Sequence, residues 1–379
     1  MLRVIYDYQV FSWQKYGGIS RYIYEVATQL AQSDDIEVKI LAMAYVNEYL
    51  KNYKSDNKSN LIVGFPIPGI RKKRITELVG KFNQELSAIW LKKYPHDIFH
   101  KTYYNSENIV TDPRVKVIIT VHDMIHEKFS QFFNSKNIFN AQDRTSSLKK
   151  EAVQQADGII CVSENTKKDL IEILNVEPSK ISVVYHGYSL NTYDSDTVAP
   201  NLPQPYILYV GERGSYKNFN ALLQAYANSS QLLNNFYLVC FGGGAFDRET
   251  INQISALKLP EGKVIQVSGD DKFLANLYKN AALFVYPSLY EGFGMPLLEA
   301  MALNCPVACS NTSSMPEVVG EAAELFDPNQ PDNIAEALQN ILFSTEKAKQ
   351  LVELGTERIK LFSWEICAEK TKKFYLSML

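Results

Sequence analysis

Short apolar, β-branched runs alternate with stretches of helical periodicity along nearly the whole chain; the alternation stops once, between residues 189 and 205, and then starts afresh. In the first round LRVIYD, IEVKILAMA, DIFHKT, KVIITVHD, GIICVS and ISVVYHG read as strands. SRYIYEVATQLAQ, the stretch from Arg71 to Lys93, SLKKEAVQQA and ENTKKDLIEIL separate them as helices. Strands this apolar, alternating with helices, predict a mostly parallel sheet covered by helices. Residues 189–205, SLNTYDSDTVAPNLPQP, are polar and proline-bearing, as a linker would be. A second round then runs YILYVG, NFNALLQAYANS, NFYLVCFGG, KVIQVSG, DKFLANLYKNA, ALFVYPS, MPLLEAMALN and PVACSN. From Asn333 to Leu379 the pattern is helical, with interruptions expected near Ser344, Gly355 and Ser363. A chain of 379 residues exceeds what one core usually organises, so two α/β domains are expected.

Composition narrows the function. Apolar residues make up 46% and charged residues 21%, which argues against extended disorder. A formal charge of −3 gives no reason to expect nucleic acid. Residues 1–190 carry 25 Lys and Arg against 21 Asp and Glu, and Lys51, Lys54, Lys58, Arg71 to Arg74, Lys92 and Lys93 contribute to that excess. A plain solvated face is the first reading of such a surface, and peripheral contact with an anionic lipid or a polyanionic acceptor the second. The five cysteines, Cys161, Cys240, Cys305, Cys309 and Cys367, are odd in number and mostly sit in apolar runs, so buried thiols in a reducing compartment are expected. MLRVIYDYQV lacks a signal-peptide core and no apolar run reaches the length of a membrane span, which points to the cytoplasm.

Four places carry chemistry. Gly17-Gly18 lies between the first strand and a helix, where a bare turn and a helix start can receive phosphate; a turn with no ligand is the competing reading. His122 and Asp123 follow the buried strand, at the edge where α/β ligand clefts open. There a neutral imidazole can bond a sugar hydroxyl or a backbone carbonyl, with Asp123 orienting it. A metal on His122, Asp123 and His126 is the weaker alternative, since the spacing occurs beside a strand and lacks a Glu after the first His. GERGSYKN places Arg213 and Lys217 in one Gly-rich turn before a helix that Asn218 or Asn220 could cap; two cations there can hold a pyrophosphate. In PSLYEGFGMPLLEAMA, Glu291 precedes a glycine loop and Glu299 falls within a helix, where vicinal ribose hydroxyls are suitable partners for a carboxylate. The backbone N–H groups of Gly292, Phe293, Gly294 and Met295 can hold phosphate oxygens.

YGGISRY at 16–22, TVHD at 120–123, VSENTKKD at 162–169, GERGSYKN at 211–218 and PSLYEGFGMPLLEAMALNCPV at 287–307 together resemble retaining glycosyltransferase family four. The resemblance implies the glycosyltransferase B-type fold, an α/β architecture of two Rossmann-like domains facing a cleft. The domains expected are 1–188 for the acceptor, a linker at 189–205, 206–355 for the nucleotide sugar, and a terminal helix at 356–379 crossing back to the first, with Trp364 either packing across the hinge or serving as an ordinary core aromatic. It further implies Gly17 and Gly18 near the donor diphosphate, His122 on a donor-sugar hydroxyl, Arg213 and Lys217 on the diphosphate, Glu291 on the transferred sugar and Glu299 on the ribose. Family members work without a metal, and Asp194-Ser195-Asp196, which matches the D-x-D of the other glycosyltransferase fold, lies in the linker and reads as accidental. VHDMIHE with YGGISRY is most similar to bacterial mannosyltransferases of surface-polysaccharide synthesis, implying GDP-mannose as donor, a glycan or lipid-linked sugar as acceptor and no further cofactor. A phosphorylase, epimerase or hydrolase of the same fold is the first rival; an inactive nucleotide-sugar or glycan-binding protein is the second.

Overall fold

The computed structural model describes residues 1–56, 60–69, 73–105, 109–133, 144–189 and 202–379. They divide into two units, one of residues 1–186 with 364–379, the other of residues 187–363. Most of the expected linker, including Asp194-Ser195-Asp196, lies outside the described residues, as do Lys58, Arg71, Lys72 and the side chains of Lys54, Lys73 and Arg74.

The first unit is built on seven strands: β1 Leu2–Tyr6, β2 Ile36–Tyr45, β3 Ile62–Pro66, β4 Ile98–Lys101, β5 Lys116–Val121, β6 Gly158–Cys161 and β7 Ile181–Val183. They lie in the order β3-β2-β1-β4-β5-β6-β7, every neighbouring pair parallel. The central strands are buried almost throughout, as their apolar sequences require. Edge strand β3 was not visible in the sequence, because Gly64 and Pro66 break its run. Gly64 is needed there, since it holds φ +142° and a Cβ would fall 1.7 Å from the Ala42 carbonyl oxygen.

The helix Lys73–Lys93 does not simply bury its apolar side chains. Leu78, Phe82 and Ile89 are exposed, while Asn83 and Ser87 are fully buried. Asn83 turns inward because its amide accepts from Ala44 N–H and donates to Ala44 C=O, both at 2.9 Å, where the register between β2 and β3 shifts. The helix is oriented by that polar demand, with Val79, Leu86 and Trp90 flanking it.

The second unit has six strands: β8 Tyr206–Val210, β9 Tyr237–Phe241, β10 Val264–Val267, β11 Leu283–Tyr286, β12 Val307–Ser310 and β13 Glu324–Phe326. Their order is β10-β9-β8-β11-β12-β13, again wholly parallel. Its core gathers Tyr209, Phe219, Leu222, Tyr226, Leu238 and Leu338 between sheet and helices. Gly355 does not interrupt the tail as expected: the helix Thr345–Arg358 runs through it. A Cβ there would lie 3.2 Å from Met301 Cγ, so glycine allows close packing on the helix Met295–Ala302.

The second unit also extends past residue 355. Arg358 donates from Nε to Val318 O at 2.9 Å and from Nη2 to Glu317 O at 2.6 Å, holding this stretch to the second unit, and the chain rejoins the first unit only at Trp364. The helix Trp364–Ser377 is part of the first unit's core. Tyr375 Oη lies 2.8 Å from Tyr6 Oη and 2.5 Å from His100 Nδ1, and Trp364 is buried near Tyr22 and His186. Among the described residues, no helix is long and apolar enough to cross a membrane.

Candidate functional site

In open parallel sheets, ligands bind beyond the carboxyl ends of the strands, where the strand order reverses. In the second unit that point lies between β8 and β11. The GERGSYKN turn leaves β8 and the Glu291 loop leaves β11, so the topology brings the two richest motifs to one place. They are bonded directly, Leu289 N–H donating to Tyr216 O at 2.8 Å.

Lys217 ends a short 3-10 turn, Ser215–Lys217, and its Nζ donates to Glu291 Oε1 at 2.7 Å and to Tyr286 Oη at 3.3 Å. Both charged side chains are mostly buried, with 18% and 10% of their surfaces exposed. Burial, with Glu291 alongside, raises the Tyr286 hydroxyl well above its ordinary pKa, so it stays protonated. Asn218 sits at the N-cap position in left-handed conformation, yet its amide does not cap. It donates to Pro287 O at 3.1 Å and Pro328 O at 2.7 Å, tying the turn to two neighbouring loops.

Arg213 has partners that the sequence did not suggest. Its Nη1 donates to Gly242 O at 2.7 Å, and its Nη2 to Gly243 O at 3.0 Å, Gly244 O at 2.6 Å and Ala245 O at 3.1 Å. Gly242, Gly243 and Gly244 hold φ of +85°, +65° and +71°, a run that L side chains rarely adopt, which turns successive carbonyls onto one guanidinium. The glycine run after β9 thus forms a seat for Arg213.

Glu291 is held by residues missed in the sequence. Ser313 Oγ accepts from Glu291 N–H at 3.0 Å, and Ser314 Oγ donates to the carbonyls of Glu291 and Phe293 at 2.8 Å each. The serines follow β12, and a serine pair after a strand was the available signal. Gly292, buried Phe293 and Gly294 lead into the helix Met295–Ala302, with Gly294 as its left-handed N-cap at φ +110° and Pro296 in the first turn. Glu299 lies inside that helix, buried, and accepts from Tyr278 Oη at 3.4 Å.

In the first unit the order reverses between β1 and β4. Buried Asp7 ties the two strand ends, its Oδ1 accepting from Thr102 N–H at 2.9 Å. Gly17 and Gly18 stand at the start of the helix Gly18–Leu30. Gln14 already uses this helix start: its Oε1 accepts from Ser20 N–H at 2.8 Å, and its amide lies where a Cβ on Gly17 would be. His122 follows β5, is 8% exposed, and among the described residues its Nε2 has no hydrogen-bond partner. Burial lowers its pKa to about 4, so at neutral pH it is an uncharged ring with a lone polar nitrogen. Asp123 does not orient it by a hydrogen bond; its Oδ1 accepts from Ile125 N–H at 3.1 Å and lies 3.6 Å from Lys149 Nζ. Lys149 is fully buried, pairs with Glu127 at 2.7 Å and donates to Asp123 O at 2.8 Å. Its place on the inner face beside Ala152 and Val153 was the sequence signal for it. Among the described residues no three His, Cys, Asp or Glu side chains come together as a metal site. A cavity of about 660 Å³ in the first unit opens at the opposite strand ends around Arg3, Asp97 and Arg114, whose charges pair locally.

The family model described as Glycosyltransferase Family 4 matches residues 16–192, and that described as Glycosyl transferases group 1 matches residues 194–358. This chain belongs to glycosyltransferase family four. Its fold is the B-type fold of these enzymes, and the chain is a glycosyltransferase. It is 29% identical over 380 residues to O-antigen chain mannosyltransferase B of Escherichia coli, covering 94% of this chain and 95% of that one. A sucrose-phosphate synthase from Thermosynechococcus elongatus superposes with a TM-score of 0.75 at 21% identity, covering 100% of this chain and 99% of that one. The Anabaena protein HepE in complex with UDP-glucose gives 0.73 at 16% identity, each chain fully covered.

Proposed function

We propose that this glycosyltransferase moves a mannosyl group from GDP-mannose to a hydroxyl of a glycan or lipid-linked sugar, with retention of anomeric configuration and no metal. The observation that carries the reading is the Lys217–Glu291 contact at the switch point, which sets a cation for the diphosphate beside a carboxylate for sugar hydroxyls. Mannose is favoured by the likeness to the E. coli O-antigen mannosyltransferase.

In this reading the diphosphate meets Lys217 and Arg213, the backbone N–H groups of residues 292–295 take further phosphate oxygens, and Glu299 takes the ribose hydroxyls. The bond from C1 to the β-phosphate oxygen breaks as the acceptor oxygen bonds C1 on the same face. The acceptor's proton passes to the departing phosphate, so no enzymic nucleophile is required. Preorganised cations stabilise the charge that grows on that phosphate, and stabilisation confined to the transition state is what accelerates the reaction. A lipid-linked acceptor would bring the enzyme to the cytoplasmic membrane face as a peripheral protein, with exposed Lys81, Lys92 and Lys93 toward anionic headgroups.

The test is nucleoside diphosphate release from GDP-mannose, GDP-glucose, UDP-glucose and UDP-N-acetylglucosamine, with and without mannose-terminated glycans. Acceptor-dependent GDP release with an α-linked product is expected. Acceptor-independent release would indicate a hydrolase, and phosphate-dependent turnover of a glycan a phosphorylase. Donor binding with no turnover would indicate a binding protein.

A further inference from the structure

We propose that Trp13, Tyr103 and Tyr104 form an acceptor subsite in the first unit, on which one hexose ring of the acceptor glycan stacks its C–H face against the Trp13 indole. The inference rests on the glycosyl-transfer reading and assigns its acceptor to particular residues.

Trp13 ends the short helix Gln9–Trp13 after β1, and Tyr103 and Tyr104 follow β4. These strands flank the switch point of the first sheet, and Asp7 with Thr102 fixes their ends, Val10 N–H also donating to Thr102 Oγ1 at 3.2 Å. Trp13 meets Tyr103 edge-on at 5.3 Å between ring centroids, and Tyr103 meets Tyr104 at 4.7 Å. Tyr104 is buried, and its Oη accepts from His122 N–H at 3.3 Å. An aromatic ladder therefore runs from solvent to the backbone of His122.

Its outer rung is 47% exposed. An indole anchored against Tyr103 and left half open to water matches a ligand with an apolar face. A hexose offers such a face, whose polarised C–H bonds meet the negative ring surface, and a rim of hydroxyls. The polar surroundings match that rim. Among the described residues the buried Oδ1 of Asn105, next to Tyr104, has no hydrogen-bond partner. It can accept from a hydroxyl group, and Gln14 and Lys15 follow Trp13 directly. A purely apolar ligand would leave that acceptor unanswered.

The experiment uses the full chain, with methyl α-mannoside and α-linked mannobiose as probes. Saturation-transfer NMR on wild type should mark the ring protons of one sugar face. Trp13→Ala should abolish that signal and raise the acceptor KM at least tenfold, leaving the Kd for GDP within twofold. Trp13→Phe should restore most of both, and circular dichroism should show the fold unchanged in each variant. An acceptor KM within twofold of wild type in Trp13→Ala, or an undiminished saturation signal, overturns the subsite. Wild-type turnover without any saturation signal from either probe overturns it equally. Failure of the catalytic reading looks different: no GDP binding and no turnover of any nucleotide sugar, both measured without acceptor.

Discussion

Lys217 Nζ and Glu291 Oε1 stand 2.7 Å apart although 74 residues separate them, because each lies on the loop that leaves one of the two strands flanking the second sheet's switch point. With Tyr286 Oη taking a second N–H, a lysine so held keeps one further donor for a second anion while its position is fixed by the first. Lys217→Ala should lower kcat/KM by roughly a hundred- to a thousandfold, the usual effect of removing one charge-stabilising contact. Steady-state kinetics on Lys217→Ala, Glu291→Gln and the double variant should show losses that do not add, since the residues act as a pair.

The glycine turn supports Arg213, which can be tested against another left-handed glycine. A Cβ on Gly243 would come 3.1 Å from Arg213 Nη1, whereas one on Gly262, at φ +78°, meets nothing within 4 Å among the described residues. Both alanine variants should lose about 1–2 kcal/mol of stability from backbone strain. Calorimetric titration with GDP should find affinity several-fold weaker in Gly243→Ala alone.

Glu299 is buried in a helix with a tyrosine hydroxyl as one partner at 3.4 Å. If ribose hydroxyls are its ligand partners, wild type should bind GDP about tenfold better than 2′-deoxy-GDP, roughly the worth of a hydrogen bond to a charged group. Glu299→Ala should bind the two equally.

The His122 ring should be neutral throughout the physiological range. Its pKa falls from 6.5 to about 4 through burial, which outweighs the opposing charge of Asp123. Between those values the unfolded chain carries a proton on this ring that the folded chain lacks. Acidification therefore favours unfolding across that window, by about 3 kcal/mol in total, and the contribution is flat above pH 6.5. The His122 Hε1 resonance should be still from pH 8 to 5 and move near pH 4. His122→Gln should lose less stability on acidification than wild type.

The strand alternation and both strand-end motifs were legible because buried parallel strands are almost continuously apolar and phosphate-binding turns need glycine or cations. What stayed hidden depended on partners distant in sequence. Asn83 faces inward because of the Ala44 backbone, and Arg213 turns to carbonyls some thirty residues away. Gly355 reads as a break until Met301 is seen against it, and β3 is masked by its own Gly64 and Pro66. Ser313 and Ser314 carry no motif, yet they fix the Glu291 loop.

If the Lys217 and Glu291 loops hold one nucleotide sugar, a crystal structure of the full chain soaked with a non-hydrolysable GDP-mannose analogue will show it. The diphosphate is predicted within about 3 Å of Lys217 Nζ, with the ribose on Glu299 and the hexose toward Glu291. An analogue bound at full occupancy elsewhere, with Lys217 and Glu291 still bonded only to each other, would contradict it.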